Sequence, residues 1–208
     1  PIIAYSIQNA LMSNLFDEVM VSTDDKEIAE IAIKYGAKVP FMRSDKTSHD
    51  YAPTIEVINE VVYNYKVKFE KKFTYICCIY PTAPLIRIRH IKEGLKLLID
   101  YNFDSVLPVV PFSYTIWRGL KIDNFGKVEM SWPVYKNTRS QDFNKVYHDA
   151  GQWYWLRSNK LNVGIFNDNC GAIILNELEV QDIDNLNDWK IAEMKYRLLY
   201  EKRNSNTY

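Results

Sequence analysis

Residues 73–80, Phe-Thr-Tyr-Ile-Cys-Cys-Ile-Tyr, form a nearly unbroken apolar run between two amphipathic helical patterns. A strand that shows no polar alternation has to be covered on both faces, which is the position of strands in parallel α/β sheets. The pattern before it, 54–66, places Ile55, Ile58, Val61, Val62 and Tyr65 at helical spacing. The pattern after it, 89–101, is again helical and leads into a second buried strand at 105–110. Alternation of this kind predicts a parallel sheet joined by right-handed crossovers, a Rossmann-like α/β domain.

The flanking segments extend this plan. Residues 2–15 are helical (Ile3, Ile7, Ala10, Leu11), 19–21 a short strand, and 26–35 a helix that stops at Gly36. Pro40 limits 39–42 to a peripheral extended piece. Beyond Pro111 the pattern changes: 117–122 and 127–130 flank the turn cluster Asp123-Asn124-Phe125-Gly126 and read as a hairpin. Residues 132–149 read as a long irregular loop, a candidate for function. Strand character returns at 152–156 and 172–175, a helix closes the pattern at 186–200, and 201–208 reads as a frayed tail. We therefore read residues 1–208 as one domain. It opens on a helix, although the first strand of a doubly wound sheet is normally central. Without it two strand edges lack partners, so the missing strand is expected in residues preceding Pro1.

Composition excludes several classes. Lys and Arg total 26 and so do Asp and Glu, whereas phosphate-backbone binding calls for a basic surplus, so nucleic acid is not an expected partner. Cys77, Cys78 and Cys170 give an odd count with no zinc spacing, as in a reduced cytoplasmic protein. No apolar run approaches the roughly 20 residues of a membrane span, so no membrane partner is expected.

Ligands of open α/β sheets bind beyond the carboxyl ends of the strands. Two loops there stand out. In Asp182-Ile183-Asp184 two carboxylates at alternate positions of an extended segment point the same way and can share one hard cation, Mg2+ with substrate phosphates being the usual case. The alternative is that Asp184-Asn185 simply caps the helix that follows. In Tyr80-Pro81-Thr82-Ala83-Pro84 two prolines stiffen the backbone, which suits either ligand presentation or a rigid connection. Arg43, Lys136 and Arg139 are loop cations suited to phosphate or carboxylate. His49 and His148 lack the neighbours of a hydrolytic triad. Trp132, Tyr135, Tyr147, Trp153, Tyr154 and Trp155 can stack on a sugar or fill a core. No glycine-rich dinucleotide or P-loop fingerprint is present, which argues against a dehydrogenase or a kinase.

Taken in order, Pro1-Ile2-Ile3-Ala4-Tyr5-Ser6-Ile7, Val21-Ser22-Thr23-Asp24-Asp25, Tyr35-Gly36-Ala37-Lys38-Val39-Pro40-Phe41 with Arg43, Tyr80-Pro81-Thr82-Ala83-Pro84-Leu85 and Asp182-Ile183-Asp184 resemble the acylneuraminate cytidylyltransferases over nearly the whole chain. Asn137-Thr138-Arg139-Ser140-Gln141-Asp142 and Tyr147-His148-Asp149-Ala150-Gly151-Gln152 resemble the branch that uses pseudaminic acid. Tyr80 stands where sialic acid enzymes carry Gln.

The resemblance implies a mostly parallel sheet of the nucleotide-diphospho-sugar transferase type, with a dimerisation arm at 112–149. It implies that CTP and a nine-carbon acidic sugar give a cytidine monophosphate sugar and pyrophosphate, for surface or flagellin glycosylation. Asp182 and Asp184 would hold Mg2+, and Arg43, Thr54, Thr82, Ala83 and Pro84 would meet the nucleotide. Tyr80, Gln141, His148, Asp149 and Gln152 would meet the sugar, and Arg139 would reach the active site of the other subunit of a homodimer. The family's basic Gly-Ser-Lys signature, which grips the triphosphate, is expected ahead of Pro1. Sialic or legionaminic acid are alternative substrates, and a non-catalytic sugar-nucleotide binding protein is the alternative of another class.

Overall fold

The computed structural model describes residues 1–200; the predicted frayed tail lies outside them. The apolar run becomes β1 (Tyr75–Ile79) and the second buried run becomes β2 (Ser105–Pro111), joined by the crossover helix α4 (Ile88–Asp100). The other main elements are α1 (Ile3–Ser13), α2 (Lys26–Lys34), α3 (Thr54–Phe69), β3 (Leu120–Ile122), β4 (Val128–Met130), β5 (Tyr147–Asp149), β6 (Trp153–Arg157), β7 (Cys170–Ile174) and α5 (Leu186–Tyr200).

The sheet corrects the expectation of mostly parallel strands. β1 pairs antiparallel with β6, which pairs antiparallel with β2, and β5 also runs antiparallel to β2. Only β7 lies parallel to β2 among these ladders. The physical reason is an insertion. β1 and β2 do run in the same direction, as their crossover helix requires, but β6 returns from the second half of the chain and threads between them. Short apolar runs do not carry strand direction, so sequence periodicity could not reveal this order. β5 was also hidden, because its three residues gain strand geometry only from pairing with distant Val109 to Pro111.

Trp153, Trp155, Ile91, Leu98 and Val106 fill the main core on the α4 side. Burying each large apolar side chain contributes about 1.5–3 kcal/mol. Gly94 on α4 allows the close approach: a Cβ there would sit 2.5 Å from the Trp153 ring. α2 begins where the Asp25 carboxylate accepts from Ile28 N at 2.9 Å and ends before Gly36, whose φ is +96°. Residues 19–21 form an extended piece bridged in parallel to Lys38.

Between that piece and the outer edge of β1 lies an apolar slot of about 280 Å³, lined by Ile7, Val19, Val21, Ile58, Cys77 and Ile79 among others. The hairpin appears as predicted around Asp123 and Gly126. Its first strand is shorter, because Ile116–Arg118 forms a 3-10 turn that sets Trp117 edge-on against Trp132 and Tyr135. No helix among the described residues is long and apolar enough to cross a membrane.

Candidate functional site

β1, β2 and β7 all point their carboxyl ends the same way, and most of the predicted site residues gather there. The geometry begins with a break in the β5–β6 edge. Asp149 faces Val109 and Trp155 faces Val106, so five residues (150–154) lie opposite two (107 and 108). Pro108 sits in this break, where a residue without an N–H costs the ladder nothing. The extra chain turns at Gly151, φ +60°, in the left-handed region that glycine enters freely.

The turn is fixed by Asp149. Its carboxylate accepts from the Gly151 amide at 3.0 Å and from the Tyr154 hydroxyl at 2.5 Å. Burial, reinforced by the Asp149 charge, pushes the Tyr154 phenol far above its ordinary range, so it stays a donor. Tyr154 meets the Tyr80 ring edge-on at 5.3 Å. The Tyr80 hydroxyl lies 2.9 Å from Thr54 Oγ1 at the start of α3, and the Tyr80 carbonyl accepts from Ser6 at 2.8 Å. Thr54, Tyr80, Tyr154 and Asp149 thus form one connected line. His148 packs against Phe112 at 4.7 Å and donates from Nδ1 to the Asp149 carbonyl at 2.9 Å.

Asp182 reaches this turn: its Oδ1 lies 4.0 Å from where a Cβ on Gly151 would stand. Asp182 and Asp184 are exposed. Neither carboxylate accepts a hydrogen bond or ion pair from a described residue. The helix that follows is capped by others, Asn185 and Asp188. No group of three or more His, Cys, Asp or Glu side chains among the described residues could hold a metal ion. Two unengaged carboxylates therefore fit a hard cation that takes its other ligands from water and phosphate, not one held by the protein alone.

Gln152 is buried; its side-chain Nε2 donates to the Glu179 main-chain carbonyl at 2.6 Å, and its main-chain carbonyl accepts from Tyr80 N at 2.9 Å. Arg43 binds back to the end of the 19–21 piece, Nε donating to Ser22 Oγ at 3.1 Å and Nη2 to the Ser22 carbonyl. In the proline loop Thr82 is exposed, Ala83 is buried and Pro84 half-buried. Arg139 and Gln141 stand apart on the exposed 112–149 segment, with no side-chain hydrogen bond to the site among the described residues.

Sequence reasoning named Tyr154 only as one aromatic among several. It missed Glu179 and Ser6, whose partners across the fold lie 27 to 92 and 74 residues away. No local pattern signals such contacts.

The arrangement sets a hydrogen-bonded line of two phenols and the Asp149 carboxylate at the carboxyl ends of the strands, close to two free carboxylates, polar groups suited to hydroxyl and phosphate ligands. Residues 1–190 match the family model described as cytidylyltransferase. A pseudaminic acid cytidylyltransferase of Campylobacter jejuni subsp. jejuni is 35% identical over 207 residues, covering 97% of this chain and 87% of the relative. The CMP-N,N'-diacetyllegionaminic acid synthase of Legionella pneumophila is 29% identical, with the same coverage of 97% and 87%. A solved CMP:2-keto-3-deoxy-manno-octonic acid synthetase complexed with CTP shares the fold, with TM-score 0.65 at 15% identity over 97% of this chain and 88% of its own. The chain is a nucleotidyltransferase and belongs to the cytidylyltransferase family.

Proposed function

We propose that this enzyme transfers the cytidylyl group of CTP to the anomeric hydroxyl of a nine-carbon acidic sugar, pseudaminic acid. The observation that carries the reading is the meeting of Asp182 with the Asp149–Gly151 turn beside Tyr80. The names of the relatives support the choice of nucleotide and sugar. In the reaction the hydroxyl oxygen bonds to the α-phosphorus, the α–β anhydride bond breaks, pyrophosphate leaves and the hydroxyl proton is released.

Each residue contributes binding or orientation. Arg43, Thr54 and the Thr82-Ala83-Pro84 loop face the nucleotide. Tyr80, His148, Asp149 and Gln141 contact the sugar, with Gln152 shaping the floor beneath it. Tyr154 holds the Asp149 carboxylate so that its free lone pairs stay aimed at sugar hydroxyls. Asp182 and Asp184 would hold Mg2+, which on binding neutralises phosphate charge during an in-line displacement. Arg139 lies on an exposed arm, 112–149, and supplies a cation to the site of a second copy in a homodimer. We place the reaction in the cytoplasm, which suits three cysteines that remain unpaired.

The test is pyrophosphate release with CTP and Mg2+, comparing pseudaminic, sialic and legionaminic acids. Release fastest with pseudaminic acid, and reduced about 100-fold or more in Asp182→Ala and Asp184→Ala, is the expected result. Equal or faster release with another acid would reassign the sugar; unchanged release in both variants would remove the carboxylate pair from the mechanism.

A further inference from the structure

Directly behind the site lies an ionic cluster around one buried carboxylate, open to solvent on its Arg89 side, that the proposed chemistry does not use. Glu179 is 5% exposed, and its carboxylate faces three bases at the start of α4. Arg87 Nε stands 2.5 Å from Oε1, Arg89 Nη2 donates to the same oxygen at 2.9 Å, and His90 Nε2 lies 3.8 Å from Oε2. Arg89 Nε also donates to His90 Nε2 at 3.0 Å, so that nitrogen carries a lone pair and the ring is neutral. Burial lowers the His90 pKa in the same sense.

The main chain of the same residue is equally engaged. The Glu179 carbonyl accepts from Gln152 Nε2, and its amide donates to the Asn176 carbonyl at 2.8 Å. One position further, Val180 is buried against Val110, Ala150 and Leu175, and its carbonyl accepts from Lys195 Nζ at 2.6 Å. Two residues beyond that comes Asp182. Glu179 therefore ties three pieces of the site together: the start of α4 through its side chain, the β5–β6 turn through its carbonyl, and the Asp182–Asp184 segment through the chain itself.

An ordinary connection between β7 and α5 needs none of this. A buried carboxylate is costly to desolvate, and a packed apolar side chain of similar volume often serves stability as well or better. What the charge adds is position. Arg89 hydrogen-bonds Oε1 and the Arg87 guanidinium pairs with the same oxygen by charge alone, so the carboxylate is drawn to one place at the start of α4 and the loop has little freedom to slide. The Asp182 and Asp184 carboxylates accept no hydrogen bond from a described residue; what holds this segment is main chain, the Asp184 amide donating to Asp188 at 3.1 Å on one side and the chain running back to Glu179 on the other.

We propose that Glu179 is a positioning residue: clamped by Arg87 and Arg89, it sets where the Asp182–Asp184 carboxylates stand relative to the Gln152–Gly151 turn. The inference rests on the reading of Asp182 and Asp184 as the cation-holding pair. Displacements of about 1 Å at such a site cost as much as 100-fold in rate, and supporting contacts around ligands are worth 10- to 100-fold in metal affinity.

The experiment uses the full chain with Glu179→Gln, which keeps the shape and the carbonyl but removes the charge. The expected result is a kcat about 10- to 100-fold lower, CTP KM changed less than about twofold, and Mn2+ binding to the CTP complex, followed by EPR, about tenfold weaker. Glu18→Gln, which removes the buried carboxylate that pairs with Lys38 and Lys71 at 3.3 and 2.6 Å away from the site, is the control for stability loss alone and should leave all three unchanged. If Glu179→Gln does not fold, Arg87→Lys keeps the charge but loses the planar guanidinium that stands against Oε1 and should show the same pattern more weakly. Wild-type kcat and Mn2+ affinity in a folded Glu179 or Arg87 variant would overturn the proposal. Failure of the underlying reading looks different: Asp182→Ala and Asp184→Ala would then match wild type in both readouts.

Discussion

The side chain of Asn185 accepts a hydrogen bond from the Asp188 amide at 3.1 Å, and the Asp188 carboxylate accepts one from the Asn185 amide at 3.2 Å. This reciprocal cap satisfies the first amides of α5; of the Asp184-Asn185 pair that the sequence offered as a cap, Asn185 does the capping and the Asp184 carboxylate stays outside it. Asp188 also accepts from the Asp184 amide, at 3.1 Å, so the backbone of Asp184 is held while its carboxylate stays free.

Stability and activity should therefore separate between neighbours. Asn185→Ala should cost about 1 kcal/mol of stability, the usual value of a lost cap, with turnover reduced far less than in Asp184→Ala. Asp184→Ala should unfold within about 0.5 kcal/mol of wild type, as exposed changes do, and lose most activity. Urea unfolding and pyrophosphate release on the two variants check this.

Glu18 gives a pH prediction. Burial alone would raise its carboxyl, but hydrogen bonds from Lys71, Tyr65 and Lys38 outweigh burial and hold it at about 2. A folded pKa below the unfolded one adds stability that is complete above the ordinary carboxylate value, near 4.3. That stability fades as pH falls toward 2. Glu18→Gln should thus destabilise the protein at pH 7 by about 1–3 kcal/mol, and the gap to wild type should close between about pH 5 and pH 2. A gap that stays constant across that range in denaturant titrations would rule out the charge as its source.

Gly94→Ala sets two effects against each other. Alanine favours a helix interior over glycine by about 1 kcal/mol. Here its Cβ would meet Trp153 at 2.5 and 2.7 Å and Trp155 at 3.0 Å, and overpacking costs about 1–3 kcal/mol. The rings are locked in the core, so the clash should win. Calorimetry should show a Tm lower by several degrees, at about 2–4 °C per kcal/mol for a chain of this size; a higher Tm would mean the core yields easily.

The exposed arm yields a fourth prediction. Ile122 and Phe125 are 70% and 96% exposed on a two-stranded hairpin, a unit of marginal stability alone. Sedimentation should report a dimer for wild type and a monomer for Ile122→Asp with Phe125→Asp. If Arg139 serves the other copy's site, mixing and reassociating Arg139→Ala with Asp184→Ala should recover activity. Heterodimers made by random exchange carry one intact site, roughly a quarter of wild-type turnover overall. No recovery would place Arg139 in its own subunit's site or outside the reaction.

Local chemistry was legible in the sequence. The helices at 26–34 and 54–69, their cap and stop residues, the hairpin turn and the apolar strands at 75–79 and 105–111 all follow from short-range patterns. So do the carboxyl-end loops that hold Tyr80 and Asp182, whereas Asp149 was named only through the family resemblance and owes its place to the pairing of β5 with Val109. What only the tertiary structure decided was how distant pieces pair. β6 enters antiparallel between β1 and β2, the edge breaks at Gly151, and Glu179 faces Arg87 across 92 positions of chain. A strand's own residues specify that it is buried, not which neighbour buries it or in which direction. A buried charge likewise reads as any surface charge until its partner, fixed by packing, is in place.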